Sequence, residues 1–323
     1  MNIREKISEI IERDLHPIPS AKRDCTHKFY FQNYEDNLVV PMTDKHYQEY
    51  KSADGGEMEP KGKKPAKMAS LTSSSAMTFN ILGNNSTIMK ASHPFAPGAY
   101  EISYEKQLYT LNKGSNPANL DAFLSNESAG EAIFCEMKMM EWLGTPNPLK
   151  EAYYDRNYYF DAASFDGVFS KIIEALRKSD IPNTKNAYPS IFKQYDAWQM
   201  FKHTLAIYNA TSTKTVAAVS AKTGSMAGRY NKITLTNVVF EMDLSLITDQ
   251  GLRSRYLEAL ELEHRESKVF IETMLTPENG LVELFKHDCG IDFDIQYIPV
   301  PQFVSMFDKT ETELSALRRY CCK

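Results

Sequence analysis

Apolar residues recur along this chain with two periods, and each change of period marks a new element. Ile3, Ile7, Ile10 and Ile11 fall at helical spacing with charges between them, which predicts an amphipathic helix over residues 2–15. Aromatic and β-branched residues at 29–40 predict a strand or an irregular arm. Ser73 precedes an apolar-periodic run ending at Leu82, the pattern of an N-capped helix. Residues 104–108 fit the end of a short helix or the start of a strand. The apolar runs 119–124 and 132–140, joined by a polar turn at 126–130, predict a hairpin. An amphipathic helix follows at 164–178, then a linker marked by Pro182 and Pro189, then a central helix at 190–209. A buried strand is expected at 233–242 and a long helix at 252–274. A further helix should run from Pro277 through Phe285, a strand over 292–298 and a last helix over 308–320.

Residues 51–67 break the pattern. Gly, Pro and Lys dominate, Met58 is the lone large apolar residue, and a mobile loop is expected, its lysines solvated or touching phosphate. No repeat appears, and no linker cleanly divides the chain. The expectation is one α/β domain over residues 1–323, with a core at about 70–245 and a helical C-terminal elaboration at about 250–323.

Composition narrows the function. A net charge of −5 argues against non-specific coating of nucleic acid, though not against a local basic cleft. The five cysteines, an odd number, have no zinc-binding spacing, and Cys135 sits in an apolar run as a small core residue. A reducing, cytoplasmic setting is expected, with no signal segment and no apolar run long enough to span a bilayer.

The chemistry concentrates at Asp121 and the strand-like run around Glu136 and Lys138. Two residues apart on a strand, Glu136 and Lys138 leave the same face, while Cys135 and Met137 turn the other way into packing. A second carboxylate, Asp121, arrives from the preceding strand. Two carboxylates beside a lysine suit hydrolysis of a phosphodiester with Mg²⁺ or Mn²⁺, which take oxygen ligands. Gln199 and His203 are four apart and share a helical face. The plain alternative is a set of structural carboxylates on different faces.

Asp121, Glu136 and Lys138 resemble the motif of the PD-(D/E)XK nuclease superfamily, in its restriction-endonuclease-like bacterial subgroup. The segments 73–82, 104–108, 120–124 and 134–141 carry the resemblance, which covers roughly residues 70–210. The proline usual before the first aspartate is replaced by Leu120. The resemblance implies a restriction-endonuclease-like core, a central mixed β-sheet flanked by helices, with N- and C-terminal elaborations. It implies a metal-dependent DNA endonuclease with catalytic Asp121, Glu136, Lys138 and Glu105. Asp121, Glu136 and Glu105 would bind metal, and Glu141, Gln199 and His203 would support them. Glu105, with Glu101 second, is the choice for an acidic residue expected on the first core helix. Double-stranded DNA is the implied partner, with room for a homodimer and a methyltransferase companion. The rival is a nuclease fold that grips DNA without cutting, or cuts only with a partner.

Overall fold

The computed structural model describes all residues except 1, 54–55, 85, 91–93, 178–186, 189–191, 224 and 322–323. Six strands lie side by side in chain order: β1 (Thr87–Met89), β2 (Gly98–Leu108), β3 (Ala118–Asn126), β4 (Glu131–Lys138), β5 (Lys232–Val239) and β6 (Asp292–Pro299). The first four form an antiparallel meander, and β4, β5 and β6 run parallel. The change has a topological cause. Short turns can join antiparallel neighbours, whereas parallel neighbours need long crossovers, supplied here by helical segments between β4 and β5 and between β5 and β6. At the β3–β4 turn Gly130 adopts φ +63°, and a Cβ there would stand 2.9 Å from the Asn231 side chain.

Helices cover the sheet. Those used below are α1 (Ile3–Ile10), α2 (Ser74–Leu82), α3 (Ala197–Thr211), α4 (Gln250–Leu275) and α5 (Leu281–Cys289). Strand alternation splits the core in two. Ile133, Cys135 and Met137 join α2 in one cluster, whereas Ala132 and Phe134 join α3 in the other. The chain therefore has the expected α/β architecture, a mixed sheet with flanking helices, consistent with a restriction-endonuclease-like core. Among the described residues no helix is long and apolar enough to cross a membrane.

Several boundaries differ from expectation for local reasons. The first helix loosens after Ile10, where the His16 amide reaches back to the Ile11 carbonyl. Residues 29–40 form an irregular arm with a short turn of helix. Residues 104–108 belong wholly to β2. The central helix starts at Ala197, because the Asp196 side chain caps the Gln199 amide. The expected linker at Pro182 and Pro189 lies outside the described residues. Gly280, at φ +75°, separates a turn at Pro277–Asn279 from α5. The last expected helix is two pieces, Glu311–Ala316 and Arg318–Cys321. Within 51–67 the chain is irregular, but Glu57 and Met58 are buried.

Candidate active site

The register of the sheet aligns acids on neighbouring strands. β2 and β3 pair Tyr104 with Ala122 and Lys106 with Leu120, so Glu105 stands opposite Asp121. That pair is missing from the ladder because Glu105 adopts φ +50°, the sole non-glycine with positive φ among the described residues. A left-handed conformation costs a side-chain-bearing residue roughly 1–2 kcal/mol. Here it reverses the strands: Tyr104 and Ala122 pack in the α2 cluster, Leu108 and Leu120 in the α3 cluster. The two acids sit at this crossover.

On the other side, the β3–β4 ladder stops at Ala122 and Cys135. The next position would place Asp121 opposite Glu136. Instead the Asp121 carboxylate accepts the Met137 amide at 2.6 Å, so a side chain replaces the backbone partner where the strands part. Glu136 is in turn the register partner of Asn237 on β5. Glu105, Asp121, Glu136 and Asn237 thus occupy successive strands, which are spaced about 4.8 Å apart.

Glu136 is tightly held. Its Oε1 accepts from Lys138 Nζ at 2.6 Å and from Gln199 Nε2 at 2.8 Å. Its Oε2 takes His203 Nε2 at 2.9 Å, so that nitrogen carries the proton and buried Nδ1 is left without a partner. Lys138 also donates to Gln199 Oε1 at 2.6 Å. The Asp196 cap sets the start of α3, and with it the face on which Gln199 and His203 reach Glu136. Glu141 accepts the Met139 and Met140 amides at 2.8 and 2.9 Å, which turns the chain after β4.

A cleft of about 460 Å³ opens over these groups, lined by Glu105, Asp121, Glu136, Glu141 and Gln199. Its other wall was not legible in the sequence: Glu57 from the 51–67 loop, Lys67, and Ser73 to Ser75 at the start of α2. Glu57 bonds Lys67 and the Ser75 hydroxyl, each at 2.8 Å. Nothing in a Gly- and Lys-rich stretch marks one glutamate as inward-facing. Glu105 lines the cleft as expected, but from a strand rather than the first core helix. Glu101 is exposed opposite Ser125 and takes no part.

The charges are unevenly balanced. Asp121 keeps some exposure through the cleft mouth, yet its desolvation raises its pKa well above the ordinary range, and Glu136 and Glu105 add to the rise. Burial pushes Glu105 up to about 8, reinforced by Glu57 and Glu136. Burial also opposes ionisation of Glu136, but Lys138 and His203 outweigh it and hold its pKa low. For Lys138, burial opposes the ammonium; Glu136, then Glu141 and Asp196, overcome that and keep it charged.

This donor set suits a hard divalent cation. The acids offer only oxygen, Glu105 has no hydrogen-bond partner among the described residues, and two carboxyls are driven toward neutrality for want of positive charge. In this conformation no three Asp, Glu, His or Cys side chains among the described residues stand in ligating geometry around one point. Binding would require Glu105 or Glu136 to turn.

Residues 8–227 match the model of the family described as restriction endonuclease associating with ARP. Among curated proteins and solved structures, none matches the chain. With two thirds of its length inside that model, the chain belongs to this restriction-endonuclease family.

Proposed function

Given that membership, we propose that the chain is a divalent-metal-dependent DNA endonuclease of restriction type. The observation that carries this reading is the alignment of Glu105, Asp121 and Glu136 on three neighbouring strands, with the Lys138 ammonium clamped beside them. Asp121 and Glu136, with Glu105, would hold Mg²⁺ or Mn²⁺. The bound cation supplies Lewis-acid charge against the phosphodiester oxygens, whose own negative charge otherwise repels a nucleophile. Lys138 stays protonated in this setting, so its role is to stabilise negative charge on the phosphoryl group rather than to abstract a proton. Gln199 and His203 fix the rotamer of Glu136. Glu141 adds to the field that keeps Lys138 charged. The start of α2 points free amides toward the cleft, a suitable neighbour for a second phosphate. Double-stranded DNA is the proposed substrate. A homodimer would address both strands, and a methyltransferase would protect the host site.

The test is cleavage of plasmid DNA with millimolar Mg²⁺ or Mn²⁺. Cleavage should disappear with a chelator and in Asp121→Ala and Lys138→Ala. Equal cleavage by wild type and both variants would trace to a contaminant and overturn the assignment.

A second reading, a nuclease fold that grips DNA without cutting, draws on the engagement of both Glu136 oxygens and the lack of a ready three-ligand set. Calorimetry separates the two. DNA binding with no Mn²⁺ heat beyond that of an Asp121→Ala/Glu136→Ala variant would favour the second.

A further inference from the structure

Beside the carboxylate cleft lies a second cavity of about 250 Å³, and the two share Glu141 and Gln199. Asn237, the register partner of Glu136, lines it from β5, and Glu263 lines it from α4. Met200, Trp142 and Pro146 supply apolar surface, and Thr145 stands exposed among the lining residues.

Two atoms in this cavity are anomalous. Asn237 Oδ1 and Glu263 Oε2 are buried and accept no hydrogen bond. Their residues are 3% and 1% exposed. Leaving such acceptors unpaired is costly, and buried polar groups without partners call for an explanation. The proposed phosphodiester chemistry uses neither. Both side chains face the same cavity, so one ligand with an N–H edge would satisfy both.

We infer that this cavity receives a nucleobase swung out of the DNA stack, its exocyclic amino edge donating to Asn237 and Glu263. The inference rests on the DNA reading above. Its volume equals about eight liquid waters at roughly 30 Å³ each, enough for one heteroaromatic ring. Extruded bases are read by hydrogen bonds to their edge and by packing against apolar walls, and both kinds of surface are present. Reach is not a difficulty, because Asn237 is a single strand spacing, about 4.8 Å, from Glu136. Charge agrees as well. Burial, with Glu266 adding, raises Glu263 to about 8, so it is mostly neutral at pH 7. Lys138 and Arg4 then stand against Asp196 and Glu141, which suits an uncharged ligand.

The probe is 2-aminopurine, a fluorescent base with an exocyclic amine. As the free base titrated into the full chain with chelator, it should be quenched saturably beside Trp142. Adenine should displace it at least tenfold better than purine, which lacks the amine. Asn237→Leu should abolish binding, and so should Thr145→Trp, which fills the mouth from an exposed position and leaves the core intact. In duplexes carrying the probe at successive positions, binding in Ca²⁺ should brighten at least one position several-fold. No saturable quenching in wild type, quenching unchanged in Thr145→Trp, or bound duplexes dark at every position would mean a pocket filled by solvent only and overturn the inference. Plasmid cleavage on the same preparation reports separately on the nuclease reading: cleavage without base binding leaves that reading standing and removes this one.

Discussion

Replacing Glu105 by Gln tests whether the acids share one electrostatic site. In the folded chain this carboxyl titrates at about 8 instead of 4.5. The fold therefore binds a proton that the unfolded chain has released between those values, and stability falls as pH rises through that window. Each pH unit is worth about 1.36 kcal/mol. The penalty is absent below pH 4.5 and reaches at most about 5 kcal/mol above pH 8. Glutamine keeps the size and the φ +50° backbone cost but has no proton to lose. In urea unfolding with chelator, the stability of Glu105→Gln relative to wild type should be about 4 kcal/mol more favourable at pH 8 than at pH 5. Glu263 titrates in the same window but is present in both proteins, so its effect cancels. Parallel pH profiles for the two proteins over pH 5–9 would refute the reasoning.

Lys138→Met leaves Glu136 buried without its ammonium and should cost about 3–5 kcal/mol at neutral pH, less in acid as Glu136 takes up a proton; urea unfolding at pH 5 and pH 7 measures this, and equal losses at both would contradict it. Millimolar Mn²⁺ should raise the melting temperature of wild type by mass action on the native state. Asp121→Asn should lose most of that rise while melting no lower than wild type in chelator, both read by calorimetry. Ser73→Ala removes the cap that accepts the Ala76 amide and should destabilise by about 1 kcal/mol, with no change in metal affinity if the cap serves α2 alone.

Local pattern made the central hairpin legible. Its strands are apolar runs, the turn is polar, and Glu136 and Lys138 follow strand parity. Capping chemistry likewise exposed α2 through Ser73. Gln199 and His203 were legible as a pair because i, i+4 spacing holds wherever the helix begins, even though α3 starts several residues later than its apolar pattern suggests. What stayed hidden depends on pairing between distant segments. The inward turn of Glu57 is fixed by Lys67 and Ser75, not by its neighbours in sequence. Glu105 occupies a strand because β3 lies beside it, and its left-handed backbone reflects no local glycine or asparagine preference. Asn237 and Glu263 read as an ordinary strand residue and an ordinary helix charge until β4, β5 and α4 are assembled.

The hydrogen bond from the Met137 amide to Asp121 has a consequence for observation. That N–H is the one place where the backbone of β4 reports directly on a carboxyl of the site. Its nitrogen and proton resonances should move when Asp121 gains a proton, loses one or is drawn toward a cation, while Ile133, paired in the regular ladder, stays still. Its exchange with solvent deuterium should follow the life of that single contact rather than the unfolding of the sheet. One amide in an isotopically labelled sample thus provides a gauge of the site's electrostatic state that needs neither substrate nor turnover.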